Sequence, residues 1–458
     1  MLLTQKNSSP CGNWPKVPMT HRHLEEELDS YPRQKTLFQG MNNGPRIIPR
    51  PEHCISRKDM DREALKVLYR LKDKGYLAYL VGGSVRDLLL GKAPKDFDIG
   101  TDARPHEVRR LFRYSRIIGK RFRIVHVYFR GGKVIEVSTF RCQCDCDDRE
   151  ALLNGRPDDA IYGTPMEDAF RRDLTINGLF YNIADFSVID YVGGMEDLKN
   201  GIIRSIGEPN HRFLRDPVRM MRAVRHAART GFTIEPKTWD AICQNAEKIR
   251  LCAIPRVRDE WLKDLKSGYS RPWMEYLIKT GLFEAIFPNL SKFLQEARSR
   301  RQLLGLLAAL DKRLGPQNGQ REEPNEALCL AVLLYPALIR HPLWPALKSE
   351  KLKWPTFEVR SILDELVAPY DFRRSVRDNA AQILSNQWPI SLCHRRGSLP
   401  KRVWSKHVFR DALFLYNAAR ELEQEEIFRV KFTKDGVPKR PKKGAKRARR
   451  PRHSRKRG

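Results

Sequence analysis

The spacing of apolar positions changes along the chain at about residue 205. Before that point, short apolar runs rich in Val, Ile, Tyr and Phe alternate with helical stretches and glycine turns. After it, apolar residues recur three and four positions apart, the spacing of amphipathic helices, and we expect no further strand. The pattern therefore predicts a mixed α/β region followed by an all-helical region.

The first region contains alternating predicted helices and strands. We expect helices over residues 58–74, 84–90, 105–113 and 166–179, and strands over 79–81, 97–99, 123–129, 134–140 and 188–192. The run Arg130-Gly131-Gly132-Lys133 is typical of a hairpin between two of these strands.

The second region contains a series of predicted helices. They cover residues 213–230, 236–248, 257–267, 272–285, 296–314, 325–340, 356–366, 372–386 and 404–428. The longest apolar run, Ala327 to Pro336, is too short to cross a bilayer. The first fifty residues lack the apolar core of a signal peptide. We therefore expect a cytoplasmic chain with no membrane contact.

These patterns predict the α+β class: a small head on a mixed sheet, all-α neck and body domains, and a disordered basic tail. The predicted boundaries are a flexible extension over 1–54, the head over 55–205, the neck over 206–270, the body over 271–430 and the tail over 431–458.

The charge of the chain indicates a polyanionic partner. The 458 residues carry a formal net charge of +31, and the segment 439–458 holds twelve Lys or Arg and no acidic residue. Without that segment the remainder still carries +19, so the folded part is itself basic and is expected to bind nucleic acid. The tail residues expected to contact RNA are Lys442, Lys443, Arg447, Arg449 and Arg450.

Candidate chemistry is concentrated in residues 79–99. The strand ends at Gly82-Gly83, and this turn opens a helix that carries Arg86 and Asp87. Backbone N–H groups at such a turn bind phosphate, and Arg86 is a candidate phosphate ligand, with a structural Arg86–Asp87 pair as the alternative.

Two carboxylates follow the glycine turn. Asp96 and Asp98 are two positions apart, so on an extended strand they face the same way and form a site for a divalent cation such as Mg²⁺. Glu136, between Ile135 and Val137, faces away from its apolar neighbours and is a candidate third ligand; the alternative is a solvent-facing strand residue. A phosphate cradle beside paired carboxylates is suited to nucleotidyl transfer.

Several ordered segments resemble the motifs of the class II nucleotidyltransferases, which comprise CCA-adding tRNA enzymes and bacterial poly(A) polymerases. They are Gly82–Asp87, Asp96–Ile99, Arg171–Gly178, Asp190–Leu198 and Asp216–Arg225, and the match runs from about residue 55 to 285. The resemblance implies a nucleotidyltransferase head followed by helical neck, body and tail.

The resemblance also implies roles for individual residues. Arg172, Asp173 and Asn177 would line the nucleotide pocket, and Asp173 would join the catalytic carboxylates Asp96, Asp98 and Glu136. Asp216 and Arg219 would hydrogen-bond the edge of the base, with Arg222 on the same helix; Arg215 stands where the family commonly has an acidic residue.

The segment Ile117–Val127 resembles the pattern that marks the polymerase branch of this family. Within it, Lys120 and Arg121 place two cations at the mouth of a hairpin, where they are expected to contact the RNA backbone.

The function that the resemblance implies is template-independent addition of AMP from ATP to RNA 3′ ends, with release of pyrophosphate. A CCA-adding tRNA nucleotidyltransferase is the alternative, and a non-catalytic RNA-binding protein is a more distant one. The expected cofactor is a pair of Mg²⁺ ions, with Mn²⁺ as a substitute. The expected partners are RNA 3′ ends, ATP, and RNA-decay or RNA-chaperone proteins, and we expect a monomer.

Overall fold

The computed structural model describes residues 44–119, 123–142, 162–315, 325–344 and 356–432. The chain divides into two compact units. The first comprises the residues up to Ala253 together with Tyr276–Ala285, and the second comprises Ile254–Glu275 and the residues from Ile286 onward. No helix in the described ranges is long and apolar enough to cross a membrane.

The first unit contains an eight-stranded mixed sheet. Its strands are β1 (Arg46–Ile48), β2 (Ala78–Val81), β3 (Asp98–Thr101), β4 (Ser115–Ile118), β5 (Ile124–Tyr128), β6 (Val134–Thr139), β7 (Leu179–Asn182) and β8 (Val188–Asp190). The spatial order is β1-β8-β7-β2-β3-β6-β5-β4. Neighbours are antiparallel except β3 and β6, which are parallel. A small parallel pair joins β9 (Ile202–Ile203) to β10 (Thr233–Ile234).

Eight helices that the structure describes lie wholly in the first unit. They are α1 (Arg62–Lys72), α2 (Gly83–Leu89), α3 (Pro105–Leu111), α4 (Pro165–Arg171), α5 (Gly194–Asn200), α6 (Pro209–Arg215), α7 (Val218–Thr230) and α8 (Pro236–Asn245). Helix α1 begins where the Asp61 carboxylate accepts hydrogen bonds from the backbone amides of Glu63 and Ala64. It buries one apolar stripe, which includes Val67, Leu68 and Leu71.

The remaining described helices run from residue 254 onward. They are α9 (Ile254–Leu265), α10 (Ser270–Thr280), α11 (Leu282–Ile286), α12 (Pro288–Lys292), α13 (Ala297–Leu314), α14 (Glu326–Leu338), α15 (Thr356–Val367), α16 (Arg374–Ser385), α17 (Gln387–Arg396), α18 (Lys401–Trp404) and α19 (Phe409–Leu422). Helix α14 is apolar on nearly all sides and buried along its length, as expected for the segment that contains Ala327–Pro336.

The two faces of the large sheet differ in chemistry. Helix α1 packs against β2, β3 and β6 on one face, where Leu80, Ile99 and Val137 are fully buried. The opposite face carries Asp98 and Glu136, and beside them a core cluster of Tyr79, Val81, Phe140, Ala169, Phe180 and Ile189. On this second face Asp98 and Glu136 are exposed to solvent, whereas the neighbouring apolar cluster is buried. The exposed carboxylates are thus supported by a packed core beside them.

The predicted α+β class, a mixed sheet followed mainly by helices, is confirmed. The predicted helix over 166–179 is wrong beyond Arg171. The backbone becomes extended at Arg172 (φ −65°, ψ 169°), and the following residues form a 3₁₀ turn, Thr175–Asn177, and then strand β7. The helix ends there because the carbonyls of Arg171 and Arg172 accept hydrogen bonds from side chains of α6 and α7.

Two further expectations need correction. Strand β10 lies beyond residue 205, where no strand was expected, because a two-residue strand is too short to show an alternating pattern. The predicted helix over 213–230 is divided at Asp216-Pro217 into α6 and α7, since proline has no N–H to continue the first helix. The predicted domain boundaries stay a prediction.

Candidate active site

Asp98 and Glu136 are direct neighbours on the open half of the sheet. Asp98 is the first residue of β3, and the parallel register of β3 and β6 places its Cα opposite that of Glu136. Directly paired residues project from the same face of a sheet, so the two carboxylates share one side. The expectation that Glu136 faces the aspartate site agrees with this register.

Repulsion among these carboxylates changes the acidity of the site. The Asp98 side chain is open to solvent, but protein surrounds it closely enough that desolvation raises its pKa, and the charges of Glu136 and Asp96 raise it further, to about 6. The Arg172 guanidinium opposes this shift. A cation bound between these carboxylates would relieve their repulsion.

The donor set fits a hard divalent cation, although it is not a closed cage. Among the residues that the structure describes, no group of three or more His, Cys, Asp or Glu is arranged to hold a metal. The residues able to contribute are the carboxylates Asp96, Asp98 and Glu136, and carboxylate oxygens are the ligands that Mg²⁺ prefers. Mg²⁺ is usually bound by one or two carboxylates together with water and substrate phosphates, so an open arrangement is compatible with it.

The glycine turn brings a guanidinium to this site. Gly82 has φ +73° and ψ −135°, a conformation that residues with a Cβ rarely adopt. A Cβ at this position would lie 2.9 Å from Nη1 of Arg172. Glycine is therefore required at position 82 for two reasons: it can adopt these backbone angles, and it allows Arg172 to approach closely.

Arg172 is held in place by an acid and an aromatic ring. Its Nη2 donates a hydrogen bond of 2.9 Å to Asp168, and its guanidinium lies 5.2 Å from the centre of the Phe180 ring. Phe180 pairs with Val81, which in turn pairs with Asp98. The bend after α4 thus places a fixed positive charge between the glycine turn and the acidic site.

Arg86 lies at the centre of a buried polar network. Its Nε and Nη2 donate to Asp87 at 2.9 and 2.7 Å, its Nη1 donates to Asn177 at 2.6 Å, and the same Nη1 lies 3.2 Å from Nδ1 of His226. The guanidinium lies beside Gly83, where an added Cβ would be in ordinary van der Waals contact with it at 3.5 Å. The structural Arg86–Asp87 pair is therefore present, and Asn177 belongs to the same network.

Asp173 forms ion pairs with two arginines of α7. Its carboxylate forms ion pairs with Arg219 at 3.0 Å and Arg222 at 2.5 Å. Burial by itself would raise the pKa of Asp173, but these arginines outweigh it and hold the pKa below its usual value. Arg219 also lies 3.7 Å from Asp216, which precedes α7 by two residues. The junction of α6 and α7 thus brings together the two residues that the resemblance implies for the base.

Further arginines make this region strongly positive. Arg212 donates to the carbonyls of Arg171 and Arg172 at 2.9 and 2.5 Å. Desolvation and neighbouring guanidiniums lower the pKa of Arg171 to about 10 and that of Arg212 to about 9. Crowding of cations to this degree is typical of sites that bind polyanions.

The segment 190–198 supports the bend that carries Asn177. The Asp190 carboxylate accepts hydrogen bonds of 2.9–3.0 Å from the backbone amides of residues 192–195. A Cβ on Gly194 would lie 2.2 Å from the Thr175 carbonyl oxygen, so glycine lets α5 approach the 3₁₀ turn. The segment 190–198 therefore helps to hold the 3₁₀ turn that contains Asn177.

Comparison with known proteins identifies this part of the chain. Residues 78–204 match the family described as the poly A polymerase head domain. The head domain is followed by a match over residues 231–294 to the family described as "Probable RNA and SrmB- binding site of polymerase A".

The chain is similar to two kinds of characterised protein. The chain is 46% identical over 301 residues to Poly(A) polymerase I of Escherichia coli O6:H1, an alignment that covers 64% of each chain. It is 40% identical over 229 residues to the CCA-adding enzyme of Lactobacillus helveticus, covering 50% of this chain and 56% of the relative. The chain thus spans about 64% of the length of the polymerases that it matches.

A solved structure supports the fold. The crystal structure of the Bacillus stearothermophilus CCA-adding enzyme in complex with CTP matches with a TM-score of 0.56 and 27% identity, covering 80% of this chain and 78% of that one. The resemblance drawn from the motifs is confirmed.

Residues outside the predicted set also contribute to the head domain and its pocket. Arg212 and His226 have no role predicted from the sequence, because an arginine or histidine on an amphipathic helix gives no local signal of what it contacts. Asp190 begins one of the segments that resemble family motifs, but its hydrogen bonds to the backbone were not predicted. The roles predicted for Lys120, Arg121 and the tail residues Lys442, Lys443, Arg447, Arg449 and Arg450 concern positions outside the described residues.

Proposed function

We propose that this chain is a template-independent RNA adenylyltransferase, which adds AMP from ATP to RNA 3′ ends. The observation that carries the proposal is the pairing of Asp98 with Glu136 beside the Gly82–Arg172 contact. It places carboxylates able to hold a cation next to a positive group able to hold phosphate. The match to the poly A polymerase head domain and the 46% identity to a poly(A) polymerase support the same reading.

In the proposed reaction the RNA 3′-oxygen forms a bond to the α-phosphorus of ATP, and the bond from that phosphorus to the bridging oxygen breaks. Pyrophosphate leaves, and the proton of the 3′-hydroxyl is lost to solvent. A divalent cation such as Mg²⁺ on Asp96, Asp98 and Glu136 would supply charge neutralisation and lower the pKa of the attacking hydroxyl.

The chain itself contributes position and charge. Arg172 and the glycine turn would orient the triphosphate, and the arginines around Asp173 would stabilise the negative charge of the triphosphate. Arg86 would act by holding Asn177 and the start of α2, since its guanidinium is bonded to Asp87 and Asn177. Asp216 and Arg219 offer an acceptor and a donor side by side, as the edge of adenine requires.

The nucleotide assay tests the activity. Purified protein is incubated with Mg²⁺ and ATP, CTP or both, on an unstructured RNA and on a tRNA that lacks its 3′ end. Long products made with ATP alone support the proposal. A stop after three nucleotides that requires both substrates would instead show a CCA-adding enzyme, the second candidate, which the 40% identical relative favours.

The acidic site is tested by Asp96→Ala and Asp98→Ala. Loss of the cation ligands should cost several kcal/mol of transition-state stabilisation, on the order of 10³-fold in AMP incorporation. Binding of RNA in the absence of nucleotide should be retained. A normal rate of AMP incorporation by the Asp98 variant would contradict the assignment of the carboxylates as cation ligands. A wild-type protein that binds RNA but never incorporates nucleotide would support the non-catalytic alternative.

A further inference from the structure

A basic groove lies in the first unit between α1, the start of β4 and the end of β5. Its volume is about 950 Å³, within the range of pockets that bind ligands. We call it the α1–β4 groove; its charged lining consists of Arg62, Lys66, Arg70, Arg113, Arg130 and Asp73. Five cations against one carboxylate give it a strong positive charge.

The groove is separate from the acidic site. Val127 lines it, and this residue pairs with Ile135 on the face of the sheet that α1 covers. Asp98 and Glu136 lie on the opposite face, because strand residues alternate between faces. The groove therefore does not belong to the site described above.

The cations of the groove are available to a ligand. All five side chains are exposed. Within the part of the chain that the structure describes, Arg62, Arg113 and Arg130 form no ion pair, and Lys66 pairs weakly with the neighbouring Glu63 at 3.6 Å. Arg70 lies over the ring of Phe112, 5.3 Å from its centre. Uncompensated cations this close together repel one another, and a polyanion would relieve that repulsion.

An exposed aromatic ring lies beside these cations. Tyr114 is 70% exposed, and the Arg113 guanidinium lies 5.7 Å from the centre of its ring. Its backbone is held in place, because the amide of Tyr128 donates a 2.8 Å hydrogen bond to the carbonyl of Tyr114. The Tyr128 ring itself lies 6.2 Å from the ring of His126, on the face of the sheet that carries Glu136. An exposed ring at a rigid strand end is suited to stacking with an unpaired base.

We propose that the α1–β4 groove binds a single-stranded stretch of the RNA substrate, away from the 3′ end that reacts. The proposal rests on the proposed function for the identity of the substrate. Cations beside an exposed ring are the chemistry that binds single strands without sequence preference, with phosphates on the cations and a base on the ring. A duplex would leave Tyr114 without a stacking partner, because its bases are already stacked.

Two groove variants and one control test the proposal in the full-length chain. Arg113→Glu reverses a groove charge, Tyr114→Ala removes an exposed ring without changing charge, and Lys199→Glu reverses an exposed charge on α5 as the matched control. Binding of a fluorescent single-stranded 20-mer is measured by anisotropy at several salt concentrations. AMP incorporation is measured on an RNA of about five nucleotides, too short to occupy both sites.

We expect both groove variants to bind the 20-mer roughly 5- to 100-fold more weakly, and Arg113→Glu to reduce the slope of log affinity against log salt by about one. The control should bind as the wild type does, and all four proteins should extend the short RNA equally. Should either groove variant lose thermal stability, Arg130→Glu replaces it in the same comparison.

Groove variants that bind the 20-mer as tightly as the wild type would overturn the proposal and leave an acidic protein segment as the candidate occupant. The test is independent of the catalytic assignment. A wild-type protein that binds the 20-mer but incorporates no AMP would refute the proposed function. The ratio of the 20-mer affinities of the wild type and the groove variants would still decide the role of the groove.

Discussion

Gly82 and Arg172 are in contact in a way that excludes any side chain on the glycine: a Cβ on Gly82 would lie 2.9 Å from Nη1 of Arg172. These residues are ninety positions apart, yet both lie near Asp98, which pairs with Val81 next to the turn and is affected by the charge of Arg172. Arg172 thus lies against the glycine turn because the turn residue has no side chain.

Gly82→Ala should therefore impair the use of ATP. The variant bears the backbone strain of a positive φ and also displaces Arg172, so we expect the KM for ATP to rise by about tenfold or more. Gly75→Ala is the matched control, because Gly75 also has positive φ (+84°) but no atom within 4 Å of its added Cβ. Equal effects on ATP use in the two variants would mean that the contact with Arg172 has no functional role.

Glu136→Gln should lower the rate of AMP incorporation without weakening RNA binding. The substitution keeps the size of the side chain but removes one of the charges beside Asp98. We expect a loss on the order of 10- to 100-fold, partly recovered at higher Mg²⁺ concentration. Glu358→Gln, at an exposed position of α15, is the control and should leave the rate unchanged. An unaltered rate in the Glu136 variant would make this residue a solvent-facing strand position.

Asp173→Asn should destabilise the fold at neutral pH by about 2–3 kcal/mol, because the buried ion pairs of Asp173 with Arg219 and Arg222 are lost. The folded-state pKa of Asp173 is lowered, so its stabilising effect is fully present above the unfolded-state pKa near 4. The effect is lost as pH falls through the lower folded-state pKa.

Chemical denaturation of the wild type and the Asp173→Asn variant between pH 7 and pH 3 measures this difference. The gap in unfolding free energy should stay constant down to about pH 4 and then shrink. Asp240→Asn, at an exposed position of α8, is the control and should show no gap. A gap that widens toward acid pH would contradict the role of the ion pairs.

Asp190→Asn should destabilise the head domain and also reduce activity. The buried carboxylate accepts four backbone hydrogen bonds, three at Oδ1 from residues 192–194 and one at Oδ2 from Met195. In Asn the amide nitrogen cannot accept the Met195 bond, and the other three bonds lose a charged acceptor. We expect a loss of about 3 kcal/mol in unfolding free energy. Asp185→Asn is the comparison variant. Asp185 is exposed, and among the described residues it accepts hydrogen bonds from Ser187 alone. Similar losses in the two variants would argue against a special role for Asp190.

Deletion of residues 431–458 should weaken RNA binding and shorten the products while leaving single-nucleotide addition intact. The segment 439–458 holds twelve Lys or Arg, so its removal should reduce the salt dependence of binding. The salt slope is measured by anisotropy before and after deletion. A slope that does not change would show that this segment makes no phosphate contacts.

Local features of the site were predictable because they depend on residues close together in the chain. The glycine turn, the start of α2 and the Asp96/Asp98 spacing follow from the period of a strand and the conformational freedom of glycine. The open side of Glu136 follows from the same alternation. Helix α4 was predicted too long because the signal that ends it is a set of hydrogen bonds from Arg212 and Arg219, far along the chain.

The sequence by itself determined many of the helices and strands, the class of fold and the residue types available for chemistry. Only the tertiary structure decided which of them meet: Asp98 with Glu136 through a parallel strand pair, Asp173 with Arg219 and Arg222, and Arg86 with Asn177. The physical reason is that strand period and turn geometry act over a few residues. Register and the choice of ion-pair partner instead depend on how distant segments pack together.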